Sequence, residues 1–156
     1  QDELPVFAYR GGKAAFYGFE AQLQARIGQA LGINWTGELQ ADAVRATVKN
    51  FGPAPFMPPL RVLAVLSGER GQFDGRIELE RAFAHDRTAP VETGTPGYTM
   101  VNAALDWHPL AAKPELNLSL AANNIFDVEA RRSTSQLKDF APLAGRDIPL
   151  TARLGF

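Results

Sequence analysis

Cysteine is missing from all 156 residues, and histidine occurs only at His85 and His108. The first absence removes disulfides, thiolate metal centres and cysteine nucleophiles, and the second leaves little imidazole for metal or acid–base chemistry. Charge of one sign is missing too: 16 Lys and Arg against 17 Asp and Glu leave a formal net charge of −1. There is neither the basic excess of a nucleic-acid footprint nor the like-charge block of a disordered tail. Long apolar runs are also lacking. The stretch 60–66, itself interrupted by Arg61, falls far below the ~20 residues a membrane helix requires, and no charged-then-apolar leader opens the chain. These absences exclude a helical membrane protein but leave open one whose short strands are only half apolar. The length is about that of one domain and is compatible with a sizeable core.

What is present is alternation. Counting back from the end, Phe156, Leu154, Ala152, Leu150 and Ile148 are apolar, with Gly155, Arg153, Thr151, Pro149 and Asp147 between them. Successive side chains of a strand point to opposite faces, so this stretch has one oily and one polar face. Over 15–27 the same period places Tyr17, Phe19, Ala21, Leu23, Ala25 and Ile27 opposite Phe16, Gly18, Glu20, Gln22, Gln24 and Arg26. That run is about thirteen residues long, whereas soluble strands average ~5–6 and ~9–11 tilted residues cross a bilayer.

A turn at 28–32 leads to a second long strand, with Ile33, Trp35, Gly37, Leu39, Ala41 and Ala43 on one face. The proline-rich stretch 50–59 is a loop, because proline donates no ladder hydrogen bond. A strand over 60–67 follows; Leu63 and Val65 make its second face apolar too, so its orientation is not set by pattern. After a turn at 68–71, Phe73, Gly75, Ile77, Leu79 and Phe83 alternate with Asp74, Arg76, Glu78 and Glu80, and Arg81 interrupts the oily face. If that strand runs outward, Arg81 lies near its outer end, where its long stem can snorkel to anionic headgroups. The polar stretch 85–96 is a loop. Then come a strand ending at Trp107, a turn at 109–114, a strand over 116–122, a loop at 127–146 and the closing strand.

This gives seven clear strands and an uncertain segment at 4–9. Connections alternate short and long, which puts every long loop on one side of the sheet and every short turn on the other, the arrangement of an outer-membrane barrel. Trp35, Trp107 and Phe156 lie on the oily face at the short-turn side, as an aromatic girdle at one membrane interface would.

Three motifs carry a family resemblance. Phe16-Tyr17-Gly18-Phe19-Glu20 resembles the aromatic-x-Gly-x-Glu strand of TonB-dependent outer-membrane receptors. Asn123-Asn124-Ile125-Phe126-Asp127 is similar to the Asn-Leu-Phe-Asp stretch that ends their penultimate strand, and the strand closing on Phe156 resembles their C-terminal strand. A finer likeness, 133–146, resembles the last external loop of a metal-uptake subgroup, but Ser133 stands where a histidine is common. The resemblance implies an all-β, antiparallel up-and-down transmembrane barrel of about 22 strands, of which residues 1–156 are a C-terminal part of about 7–8 strands, without the plug domain and the N-terminal strands. It further implies uptake of a siderophore, metal ion or metal chelate in the bacterial outer membrane, with the lipid bilayer and the barrel-assembly machinery as partners and the TonB system engaged only through the missing plug. In that family Ile148, Leu150, Ala152, Leu154 and Phe156 resemble the tag read during assembly.

No nucleophile and base are paired by the sequence, so no enzyme, cofactor or nucleic-acid partner is expected. His85-Asp86 is an incomplete metal shell. Ser133, Thr134 and Ser135 read as solvated loop residues, and Glu78 and Glu80 as part of a charged face. The alternatives are a complete small outer-membrane barrel, acting as anchor or enzyme, and a soluble antiparallel β-sandwich binding module.

Overall fold

The computed structural model describes residues 11–109 and 116–155. The segment 4–9, most of the turn at 109–114 and the terminal Phe156 therefore lie outside the described residues. The elements are β1 (Ala14–Ala30), β2 (Ile33–Val48), β3 (Gly52–Pro53), β4 (Arg61–Arg70), β5 (Phe73–Ala82), β6 (Tyr98–Trp107), β7 (Leu116–Ala122) and β8 (Leu150–Leu154). They form one antiparallel sheet in the order β1-β2-β4-β5-β6-β7-β8, with β3 folded back on β2.

The seven expected strands are all present, and the eighth is the two-residue β3 in the first long loop. Several boundaries differ from the sequence reading. The turn expected over 28–32 contracts to Leu31 and Gly32, because a bulge between Arg26 and Gly28 lets the ladder continue to Ala30 paired with Ile33. Leu31 at φ 55° and Gly32 at φ 73° supply the left-handed pair that a two-residue hairpin requires. The closing strand is shorter than its alternation suggested. Pro149 accepts a hydrogen bond from Ala121 N–H (3.0 Å) but has none to return, so regular pairing starts at Leu150 and only an isolated bridge joins Asn123 to Asp147.

Register turns the alternation of each strand into continuous rows. Leu39 pairs with Leu23 and Ala64, Ala64 with Leu79, Leu79 with Val101, and one row lower Leu66 pairs with Ile77 and Ile77 with Ala103. Leu105 meets Leu120, which meets Leu150. The uncertain face of β4 is settled by the same ladder. Val62, Ala64 and Leu66 join the oily rows, while Val65 sits between Glu38 and Glu78 on the polar face.

Among the described residues no second layer covers the oily face. Ile77 is 55% exposed, Leu105 47%, Leu120 47% and Leu150 75%. The small core lies on the other face, where Ala82, Tyr98 and Met100 bury Ala130 with help from Val128 and Leu143. A sandwich would bury the oily rows, and an apolar face of this extent is not left to water. The polar face, by contrast, is cross-linked: Gln22 and Gln40 both donate to Glu38 Oε1 (3.0 and 2.5 Å), and Asn102 Nδ2 and Arg76 Nη2 donate to Glu78 (3.2 and 2.5 Å).

Candidate functional site at the mouth of the polar face

The long loops 49–60, 83–97 and 123–149 all lie at one end of the sheet, and they are tied to each other by buried polar side chains. Glu92, its side chain 1% exposed, accepts from Phe56 N–H (2.5 Å) and lies 3.3 Å from His85 Nε2, joining the second loop to the first. Lys138, 3% exposed, donates from Nζ to the carbonyl and hydroxyl of Thr93 (both 2.6 Å), and Thr93 Oγ1 donates to Asp139. This joins the third loop to the second. Ser133, 4% exposed, donates to the carbonyl of Met57 (3.2 Å) and closes the triangle.

The third loop is anchored by Asn124, 2% exposed. Its backbone N–H donates to Asn102 Oδ1 (2.8 Å), its Nδ2 to the carbonyls of Val128 and Ala144 (2.9 and 3.2 Å), and its Oδ1 accepts from Val128 N–H (2.9 Å). A φ of 49° places Asn124 in the left-handed region, which asparagine tolerates better than most residues. The loop is thereby folded over the polar face of β5 and β6.

Beneath it opens a cavity of about 230 Å³, lined by Asp42, Arg61, Glu80, Tyr98, Arg131 and Arg132 among others. Arg61 makes two bonds to Asp42 Oδ1, from Nε at 3.1 Å and Nη2 at 3.0 Å. Tyr98 Oη donates to Glu80 Oε1 at 2.9 Å. Arg131 is held between Glu129 Oε1 (2.8 Å) and the carbonyl of Lys138. The lining thus carries three guanidinium groups, Arg61 and Arg131 already held by Asp42 and Glu129, beside the carboxylates of Asp42 and Glu80, an arrangement that can hydrogen-bond a polar solute.

The sequence reading missed most of this. Ser133 is a buried tie rather than a solvated residue, and His85 is buried at 7% exposure and engaged with Glu92 rather than offered with Asp86 to a metal. Among the described residues no group of three His, Cys, Asp or Glu is placed to hold a metal ion. Glu78 and Glu80 do share the polar face, where each accepts from a neighbouring strand. Of the residues expected on the oily face, Phe156 lies outside the described residues and Ile148 precedes the last strand. Trp35 lies across Gly68, where an added Cβ would come within 2.9 Å of the indole, and Trp107 stacks on Phe73 with ring centroids 6.0 Å apart. Ala152 and Leu154 pair with Leu118 and Leu116, and Ile148 and Leu154 are 62% and 64% exposed.

A single-layer antiparallel sheet, oily outside and charged inside, with short turns below and interlocked loops above, is a section of transmembrane β-barrel wall. Solved structures share this fold. Most of this chain superposes on the copper transporter OprC (TM-score 0.82, 15% identity, 93% of this chain and 24% of that one). Similar matches are the FrpB iron transporter from Neisseria meningitidis (TM-score 0.72, 17% identity, covering 90% and 24%) and the ferric yersiniabactin uptake receptor FyuA from Yersinia pestis (TM-score 0.68, 21% identity, covering 93% and 24%). The fold is that of a barrel portion of TonB-dependent outer-membrane receptors. The chain spans about a quarter of the length of each of these proteins. No protein-family model matches the chain, and no curated protein matches it.

Proposed function

We propose that the chain is the C-terminal part of the barrel of a TonB-dependent outer-membrane receptor, and that its mouth takes part in capturing a metal chelate with anionic oxygens for uptake. The convergence of Arg61, Arg131 and Arg132 on one cavity under the interlocked loops carries the reading. The solved neighbours are named for copper, iron and ferric yersiniabactin, which supports a metal-related cargo.

Both ends of the sheet support a larger parent. Among the described residues β1 pairs only with β2 and β8 only with β7. Strand edges facing hydrocarbon leave N–H and C=O groups unsatisfied at several kcal/mol each, so in a bilayer further strands must close the wall. On this reading Trp35 and Trp107 belong to the inner-side aromatic girdle. The closing stretch with Ile148, Leu150, Ala152, Leu154 and Phe156 is then what the barrel-assembly machinery reads, and TonB acts through a plug carried elsewhere in the parent.

The test uses the intact parent in its own cells. The protein should fractionate with the outer membrane, resist extraction without detergent, and support uptake of ⁵⁵Fe supplied as anionic carboxylate, hydroxamate or catecholate chelates in a TonB-dependent manner. Arg132→Glu should depress that uptake while surface abundance is unchanged. Extraction into buffer, or uptake that survives loss of TonB, would overturn the reading.

A further inference from the structure

The outer end of the oily face carries cations where a barrel wall should be neutral. Arg81 is on that face, paired with Val62 and Thr99, and so is Arg45, paired with Tyr17. With a rise of about 3.4 Å per residue and a tilt of about 40°, Arg81 stands about 20 Å above the Phe73 and Trp107 pair along the membrane normal, and Phe83 about 25 Å. An apolar band about 25 Å tall therefore ends at this level. Arg81 is fixed there, donating from Nη1 to Thr99 Oγ1 (2.9 Å) and lying 5.3 Å from the centre of the Phe83 ring.

Beside it is a depression of about 440 Å³ lined by the apolar Phe19, Ala43, Leu60 and Phe83 and by the charged Arg45, Asp86 and Arg87. Arg87 is held in place by Nη1 on the carbonyl of Ala46 (3.0 Å) and Nη2 on Thr47 Oγ1 (2.7 Å). Among the described residues neither Arg45 nor Arg87 is in an ion pair. Phe19, Ala43 and Leu60 extend the oily rows, and Arg45 and Arg87 against the single carboxylate Asp86 leave the lining with a positive excess, which suits an occupant that is apolar on one side and anionic on the other.

We infer that this depression is a binding site for a phosphate-bearing lipid of the outer leaflet, with the phosphate between Arg45 and Arg87, Arg81 at the glycerol or sugar level, and acyl chains along Phe19, Leu60 and Leu79. Guanidinium groups match phosphate oxygens in a fixed fork geometry, and the exposed aromatic rings of Tyr17 and Phe83 suit the boundary between headgroup and chain. The site rests on the outer-membrane reading above.

The experiment is native mass spectrometry of the intact parent receptor, released from mixed micelles containing dioleoyl phosphatidic acid, dioleoylglycerol or dioleoyl phosphatidylcholine. A heat-modifiable band in the same preparation reports whether the barrel is membrane-inserted. The wild type should retain phosphatidic acid in preference to the other two. Arg45→Glu and Arg81→Gln should each lower retention about tenfold, equivalent to about 1.4 kcal/mol, while Arg26→Gln on the polar face should not. Equal retention of phosphatidic acid and dioleoylglycerol, equal retention by wild type and Arg45→Glu, or displacement by inorganic phosphate would each overturn the site. Absence of a heat-modifiable band would instead sink the membrane reading beneath it.

Discussion

Replacing Ile77 by arginine places a cation at the middle of the oily face. Ile77 lies in the row Leu66, Ile77, Ala103, half-way between the aromatic pair Phe73–Trp107 and Arg81. Its side chain is 55% exposed there, so nothing in the sheet can solvate a guanidinium. A cation at the midplane of a barrel's lipid face costs about 2–4 kcal/mol, and one near an interface about 0–1 kcal/mol. Leu118→Arg, beside Trp107 at the lower rim, should therefore cost about 1 kcal/mol or less. Gln40→Arg supplies the opposite face, in the register row of Leu63 and Glu80, three residues further out. It sits next to Glu38, to which Gln40 already donates, and should change stability by less than about 1 kcal/mol. The measurement is denaturant unfolding of the inserted parent protein in phosphatidylcholine vesicles, followed by circular dichroism, with all three variants compared at unchanged m-value. If Ile77→Arg costs no more than Gln40→Arg, the oily rows do not face lipid and the assignment of inside and outside is wrong.

Three further outcomes are expected. Asn124→Ala removes three side-chain hydrogen bonds around a 2% exposed residue and puts alanine at a positive φ. It should cost about 2–4 kcal/mol of loop stability, seen as faster hydrogen exchange confined to 123–149. Lys138→Met leaves the Thr93 and Gly94 carbonyls without their donor and should loosen loop 83–97 by about 1–3 kcal/mol, so limited proteolysis should cut both loops faster; unchanged cleavage would refute the triangular tie. Gly68→Val would drive a Cβ into the Trp35 ring. Overpacking of about 1–3 kcal/mol, with altered tryptophan fluorescence, should follow, while Gly71→Ala in the turn below should leave that fluorescence unchanged.

The wall was legible in the sequence because its physics is periodic. Any strand between lipid and a polar interior must alternate, so the rows through Leu39, Ile77 and Leu105 could be read residue by residue, and the long-short rhythm of the connections gave the two ends. The bulge at Arg26–Gly28 and the shortening of β8 at Pro149 depend on single backbone groups, which leave no repeating mark. The mouth was not legible for a different reason. Glu92, Asn124, Ser133 and Lys138 look like ordinary loop residues, and only their burial against partners 4 to 76 positions away makes them structural. Arg81 was visible as a break in the oily face, but its relation to Arg45 and Arg87 needed the register of three strands.

The three ties among Phe56, Glu92, Thr93, Ser133 and Lys138 mean that, among the described residues, the three long loops are braced against one another. Under the proposed function, a solute approaching from outside would meet a rim whose donors already stand close to their final spacing, so little ordering entropy would be lost on capture. On the same proposal, selectivity at such a collar would come from fit to a stiff aperture rather than from loops wrapping around their guest.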